Sequence, residues 1–234
     1  MVVLLGCSAL AAYLYDFSGI RTRACLGSQE HTSQFEAVDG TRLGGVLIGR
    51  GPAGVVLAHQ SDQTLCDWLS FARQLAAKGF HAFPVDLPFR PLQNAGWDRD
   101  LEAAAEYLRR AGAVSLVLVG ASMGGAASMV AATEISPQVD GVVNLSGERR
   151  VSGLGADRAV RRSVIPLLII ASDSDRYLNA HDPRTLYAES AASDKQLQVL
   201  PGSAHGTAIL DGPEAASVRD RIMGLVLAHS RLPG

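Results

Sequence analysis

Ser122 stands between glycines two positions to either side, in Gly120-Ala121-Ser122-Met123-Gly124. An apolar, β-branched run, Val114-Ser115-Leu116-Val117-Leu118-Val119, leads into it, and an Ala-rich helical pattern over 125–134 leads away, which predicts strand, sharp turn and helix. A serine at such a turn is held in a strained backbone conformation with its Oγ clear of the sheet, and the flanking glycines let strand and helix approach closely. A hydroxyl is a poor nucleophile at neutral pH. It needs a base within hydrogen-bond reach, and the base needs an acid to fix its tautomer and stabilise its cation. Acids stand at the end of a later apolar run, where 166–171 leads into Ser172-Asp173-Ser174-Asp175-Arg176, and Glu148 follows the run before it. Of the six histidines, His205 in Pro201-Gly202-Ser203-Ala204-His205-Gly206 lies directly after the last predicted strand and before the last predicted helix. His229 lies deep in that helix, His181 precedes the last strand, His31 and His81 precede or begin strands, and His59 follows an early strand.

These residues need a scaffold, and the hydrophobic pattern supplies one. Segments 34–38 and 43–48 flank Asp39-Gly40-Thr41, a hairpin signal. Strand and helix patterns then alternate: strands at 54–59, 81–85, 115–119, 141–145, 166–171 and 197–200, with helices at 65–78, 98–110, 123–134, 183–192 and 213–230. Runs such as Val55-Val56-Leu57-Ala58 and Leu167-Leu168-Ile169-Ile170 are apolar without alternation, as parallel strands covered on both faces are. Two antiparallel strands followed by repeated strand–helix units predict an α/β chain with an eight-strand, doubly wound, mostly parallel sheet. Only sixteen residues separate Gly147 from Val164. Trp68 is expected in the core of the first helix, Asp173 in a turn and Asp182 as a helix N-cap.

At 234 residues and 47% hydrophobic, the chain is long enough to bury one large core, and no repeat or linker divides it. With 21 basic and 23 acidic residues it has no charge excess that would attract nucleic acid. Cys25, Cys66 and the histidines show no metal-ligand spacing, so neither a metal nor a cofactor is implied.

The elbow around Ser122, the strand order and the placement of the acid and histidine resemble the α/β-hydrolase superfamily, in particular its dienelactone-hydrolase-like and cutinase-like serine esterases. The resemblance spans 38–230. It implies the α/β-hydrolase fold without a large cap and the order Ser122, Asp175, His205. Asp175 is favoured because the acid in such members comes four positions after a small residue ending the strand, here Ala171; Asp173 and Glu148 are the alternatives. Two backbone amides would hold the oxyanion: Met123, at the start of the elbow helix, and Ser61 in His59-Gln60-Ser61-Asp62. Family members usually have glycine where this chain has Gln60, which leaves Gln60 as the alternative donor. Dienelactone hydrolases have a cysteine nucleophile where this chain has Ser122, and cutinases a tryptophan in the region of Asn144-Leu145-Ser146-Gly147, so neither substrate carries over. The implied activity is hydrolysis of a small carboxylic ester through an acyl-enzyme. The alternatives are a peptidase or thioesterase on the same triad, and a catalytically silent exported binding protein of the same fold.

Residues 1–15 are apolar and end at Asp16, too short to cross a membrane as a helix but within the length of a secretory signal's apolar region. Leu4-Leu5-Gly6-Cys7 resembles a bacterial lipoprotein box with Cys7 as the lipidated residue, although the charged region that should precede it is missing; Ala9-Leu10-Ala11 fits a cleavage site. The expectation is an exported protein, secreted or lipid-anchored, with 1–30 as a targeting remnant or extension and 31–234 as the hydrolase domain. The competing reading is an N-terminal helix packed on the domain in a cytoplasmic protein. Membrane attachment would come only through that segment. With Cys7 lost or lipidated, Cys25 and Cys66 remain as a disulfide pair, the alternative being two buried thiols.

Overall fold

A computed structural model describes residues 25–88, 90, 96–178 and 181–230. Cys7 and the rest of the apolar N-terminal segment lie outside the described residues. The first strands of the described residues form a hairpin, β1 (Thr32–Glu36) and β2 (Arg42–Val46). The first strand ends two residues earlier than its apolar pattern predicts, because Ala37 and Thr41 close a wider loop in which Gly40 has φ +82° and Val38 is exposed. Next come β3 (Ala53–Ala58), α1 (Leu69–Ala77), β4 (His81–Asp86), α2 (Trp97–Arg110), β5 (Ser115–Ala121), α3 (Met123–Ala131) and β6 (Gly141–Leu145). A 3-10 turn, Leu65–Trp68, leads into α1 and is capped by Thr64 and Asp67 in a reciprocal capping box.

The segment after β6 carries elements that the sequence pattern left unassigned. β7 (Arg150–Val151) and β8 (Leu154–Gly155) form a hairpin around Ser152 and Gly153, both at positive φ, and α4 (Ala156–Arg162) follows. The buried Asp157 anchors it, accepting from Arg150 Nε at 2.8 Å and from the Arg158 N–H at 2.9 Å. The chain ends with β9 (Leu167–Ser172), α5 (Asp182–Glu189), β10 (Lys195–Leu200), a 3-10 turn at Gly206–Leu210 and α6 (Ala215–Ala228). Asp182 is the first residue of α5 and not its cap; His181 holds the N-cap position.

Eight strands form one sheet in the order β1-β2-β4-β3-β5-β6-β9-β10. β1 and β2 are antiparallel to each other and β2 to β4; every pairing from β4 to β10 is parallel. Alternate residues of each central strand feed opposite cores. Val55, Leu57, Val117 and Val119 join Trp68, Phe71 and Leu75 of the α1 region and Val218 and Ile222 of α6, whereas Val56, Leu116 and Leu118 join Leu101, Leu108, Ala127 and Val160 on the other face. Both faces are buried, so the strands read as continuous apolar runs. This is the α/β-hydrolase architecture, and no cap domain covers it among the described residues. Among those residues too, no helix is long and apolar enough to cross a membrane.

A disulfide joins Cys25 to Cys66. Together with a two-point ion pair, in which Arg73 Nε and a terminal nitrogen donate to the Glu30 carboxylate at 2.8 and 2.7 Å, it fastens 25–30 to the start of α1.

Candidate active site

The parallel strands β3, β5, β6, β9 and β10 all end at one edge of the sheet, so the loops that follow them are neighbours there. Ser122 sits between β5 and α3 at φ +50°, ψ −117°, a left-handed conformation that a non-glycine residue holds only when its surroundings enforce it. Its N–H donates to Leu145 O at 2.7 Å, and Ala126 N–H returns to Ser122 O at 3.0 Å. The glycines around it are required by contact. A Cβ on Gly120 would collide with the Gly124 carbonyl, and one on Gly124 would lie 2.5 Å from Ala58 O and 2.6 Å from His59 O. The elbow is thus packed directly on the start of the loop after β3.

His205 and Asp175 are joined, with His205 Nδ1 2.7 Å from Asp175 Oδ2. The Asp175 side chain is 1% exposed and its second oxygen accepts the Tyr177 N–H at 3.0 Å. A buried carboxylate bonded to Nδ1 fixes the imidazole tautomer with its lone pair on Nε2. Gly206, next to His205, lies so near the elbow that a Cβ on it would be 3.5 Å from the Ala121 Cβ. The two loops that carry His205 and Asp175 are stitched together: Ser172 Oγ donates to Ala204 O at 2.7 Å, Gly202 N–H donates to Asp173 Oδ1 at 3.1 Å, and Ser174 N–H donates to Gly202 O at 3.0 Å. Asp173 is therefore a turn residue, as its sequence position predicts. Glu148 is half-buried near the same edge, and burial pushes its carboxyl up, with the His205 charge as the main opposing influence. The carboxylate bonded to the imidazole is that of Asp175.

Of the two amides expected to hold an oxyanion, that of Met123 opens α3, so its N–H has no carbonyl one turn back to bond. The Gln60 carbonyl is 2.7 Å from His59 Nδ1 and accepts the Gln63 N–H at 3.2 Å. A trans peptide sends the following N–H in the opposite direction, so the Ser61 N–H faces away from both donors and makes no bond among the described residues. His59 Nε2 accepts the Leu87 N–H at 2.9 Å. The ring is therefore neutral, protonated on Nδ1, and burial holds its pKa below the usual histidine value. It braces this loop against the chain after β4.

Three features escape sequence reasoning. Tyr177, itself exposed, lays its ring against His205 at 4.9 Å and 52°, with the Arg176 guanidinium 5.0 Å from the tyrosine centroid. Thr207 contacts Gln60 and Gln63 from the loop after β10. His59 sits at a position whose partners come from later in the chain. None has a local pattern. The hairpin after β6 did have one, the Ser152-Gly153 pair between two apolar residues.

Residues 89–218, more than half of the chain, match the sequence profile of the dienelactone hydrolase family. The chain belongs to the dienelactone hydrolase family. It is accordingly a hydrolase acting on esters. Comparison with curated proteins found no sequence match. Among solved structures, it is similar to a dienelactone hydrolase from Anabaena variabilis, at 23% identity, a TM-score of 0.73 and coverage of 87% of this chain and 99% of that one. An esterase of Pyrococcus furiosus superposes with a TM-score of 0.74 at 14% identity over 87% and 92% of the two chains. A monoacylglycerol lipase of Paleococcus ferrophilus does so with 0.70 at 16% over 81% and 100%. At these identities the superpositions establish a shared fold.

Proposed function

We propose that this member of the family is a serine carboxylic-ester hydrolase working through Ser122, His205 and Asp175. The observation that carries the reading is the 2.7 Å bond between Asp175 and His205 Nδ1, on loops packed beside a left-handed Ser122. Ser122 Oγ attacks the ester carbonyl as its proton passes to His205 Nε2. The Met123 and Ser61 amides receive the oxyanion. When the tetrahedral adduct collapses, the C–O bond to the alcohol breaks and Nε2–H protonates the leaving oxygen, giving an acyl-serine. Water, deprotonated by Nε2, then releases the acid and regenerates Ser122. The Tyr177 ring against His205 favours the imidazolium that forms twice in this cycle.

The substrate class proposed is a small-molecule carboxylic ester, which membership of the dienelactone hydrolase family supports. The Cys25–Cys66 bond supports residence outside the reducing cytosol. The test is labelling with a fluorophosphonate, followed by turnover of p-nitrophenyl esters of increasing chain length. Modification of Ser122 with turnover of short esters is the expected result. Ester turnover that survives Ser122→Ala, or an inert Ser122, refutes it.

A further inference from the structure

We propose that Gln60 is a positioning residue that locks the loop carrying the Ser61 amide to the loop carrying His205, so that one side chain holds oxyanion donor and general base in register. The inference rests on the serine-hydrolase reading above. Where relatives are expected to have glycine, this chain has a primary amide that is only 7% exposed. An amide buried to that degree is costly unless its donors and acceptor find partners. Gln60 Oε1 accepts the Thr207 N–H at 3.0 Å, a bond across 147 residues, and Gln60 Nε2 donates to Asp62 Oδ1 at 3.0 Å within its own loop. The Thr207 hydroxyl is 2.5 Å from Gln63 Oε1 and 3.4 Å from Gln60 Oε1, so a second side chain of the same loop grips the same residue.

Thr207 is two residues beyond His205, in the 3-10 turn for which His205 is the N-cap. Fixing its amide fixes the backbone from which the imidazole projects. The fit is steric as well as polar. A Cβ on Gly206 would collide with Gln60 Oε1, and Gly206 has φ +57°, so the loop after β10 supplies the glycine that makes room for the Gln60 side chain. On the other side the Gln60 carbonyl is held by His59 and Gln63, which sets the direction of the Ser61 N–H. Side chain and main chain of one residue therefore constrain both halves of the oxyanion and proton-transfer machinery. Misplacement by about an ångström at such a site costs about 100-fold in rate.

Gln60→Ala, and Gln60→Glu combined with Asp62→Asn, separate this role from simple stabilisation. The double variant keeps an acceptor for Thr207 and a donor–acceptor pair with residue 62, with no change in net charge. All proteins are assayed well below their thermal midpoints, with p-nitrophenyl acetate for kcat and KM and with a fluorophosphonate for the rate of Ser122 modification. Gln60→Ala is expected to lower kcat and the modification rate together by about 10- to 100-fold, with KM within about twofold, and the double variant to recover most of the loss. If Gln60→Ala does not fold, Gln60→Met replaces it, because it keeps the length of the side chain and loses both the acceptor for Thr207 and the donor to Asp62; its kcat and modification rate should fall together as for the alanine variant. A folded Gln60→Ala with wild-type kcat and modification rate, or a double variant as slow as the single, overturns the inference. Wild-type protein that leaves Ser122 unmodified overturns the serine-hydrolase reading itself, so the two failures are told apart.

Discussion

His205 meets Asp175 through Nδ1, which leaves Nε2 as the atom that would take the Ser122 proton in the proposed mechanism. Asp175→Asn keeps the shape but presents the wrong hydrogen-bonding group to Nδ1, and is expected to lower kcat by about a thousand- to ten-thousand-fold. Asp173→Asn retains the oxygen that accepts the Gly202 N–H, so steady-state kinetics on the same ester should show little change. Equal losses at the two positions would move the acid. His59 offers a second test at this scale. Its folded pKa lies below the unfolded value of about 6.5, so the folded state binds fewer protons. Its contribution to stability is complete above about pH 6.5 and is lost as pH falls through the folded pKa, when protonation of Nε2 breaks the bond from Leu87. Asp100 runs the opposite way: burial pushes its pKa up to about 6, which favours the folded state as pH falls toward the ordinary carboxylate range. Comparing wild type with His59→Gln isolates the histidine. Thermal midpoints should fall less steeply below pH 6.5 in the variant, and parallel profiles would count against this assignment.

At the scale of elements, the site depends on close approach between backbones. Gly124, in the first turn of α3, faces the Ala58 and His59 carbonyls at distances that no Cβ tolerates, and carbonyls of a buried strand end do not move aside as a flexible side chain does. Gly124→Ala should therefore push the elbow helix away from the loop that carries Ser61. Because Met123 and Ser61 are the two amides proposed to receive the oxyanion, the expected result is a fall in kcat of about 100-fold, greater than its effect on KM. An alanine variant with full turnover would show that the helix and the loop are not coupled as described. The segment after β6 packs on α3 as well, and within it the buried Asp157 is bonded to Arg150 and to the backbone.

For the molecule as a whole, Cys25–Cys66 closes a loop that includes β1, β2 and β3, with a sequence separation of 41 residues. Its removal in a Cys25→Ser, Cys66→Ser variant is expected to destabilise the fold by about 4 kcal/mol through the unfolded chain, measured by urea unfolding. Because Cys66 lies in the turn that follows the Gln60 loop, the kcat of the variant should also fall, though less than for Gly124→Ala. Intact-mass analysis with alkylation before and after reduction checks the bond itself. Two alkylated cysteines at these positions in oxidatively purified protein would refute it.

Where a feature depends on neighbours in sequence, it is legible in the order of residues alone. The alternation of apolar runs and amphipathic helices determines a doubly wound sheet, because a strand buried on both faces must be apolar throughout and a helix covering it apolar on one side. The glycines around Ser122 mark a turn too tight for side chains, and the order of Ser122, Asp175 and His205 along the chain places all three at one sheet edge. Other features depend on residues far apart, and those only the tertiary structure decides. Asp175, Asp173 and Glu148 carry the same chemical group at neighbouring loop positions; which of them reaches Nδ1 is set by loop direction in space. The value of Gln60 is invisible without Thr207, 147 residues away, and that of His59 without the Leu87 amide. A hydrogen bond is satisfied by position and angle, to within a few tenths of an ångström, whereas sequence pattern specifies only which face of an element turns inward.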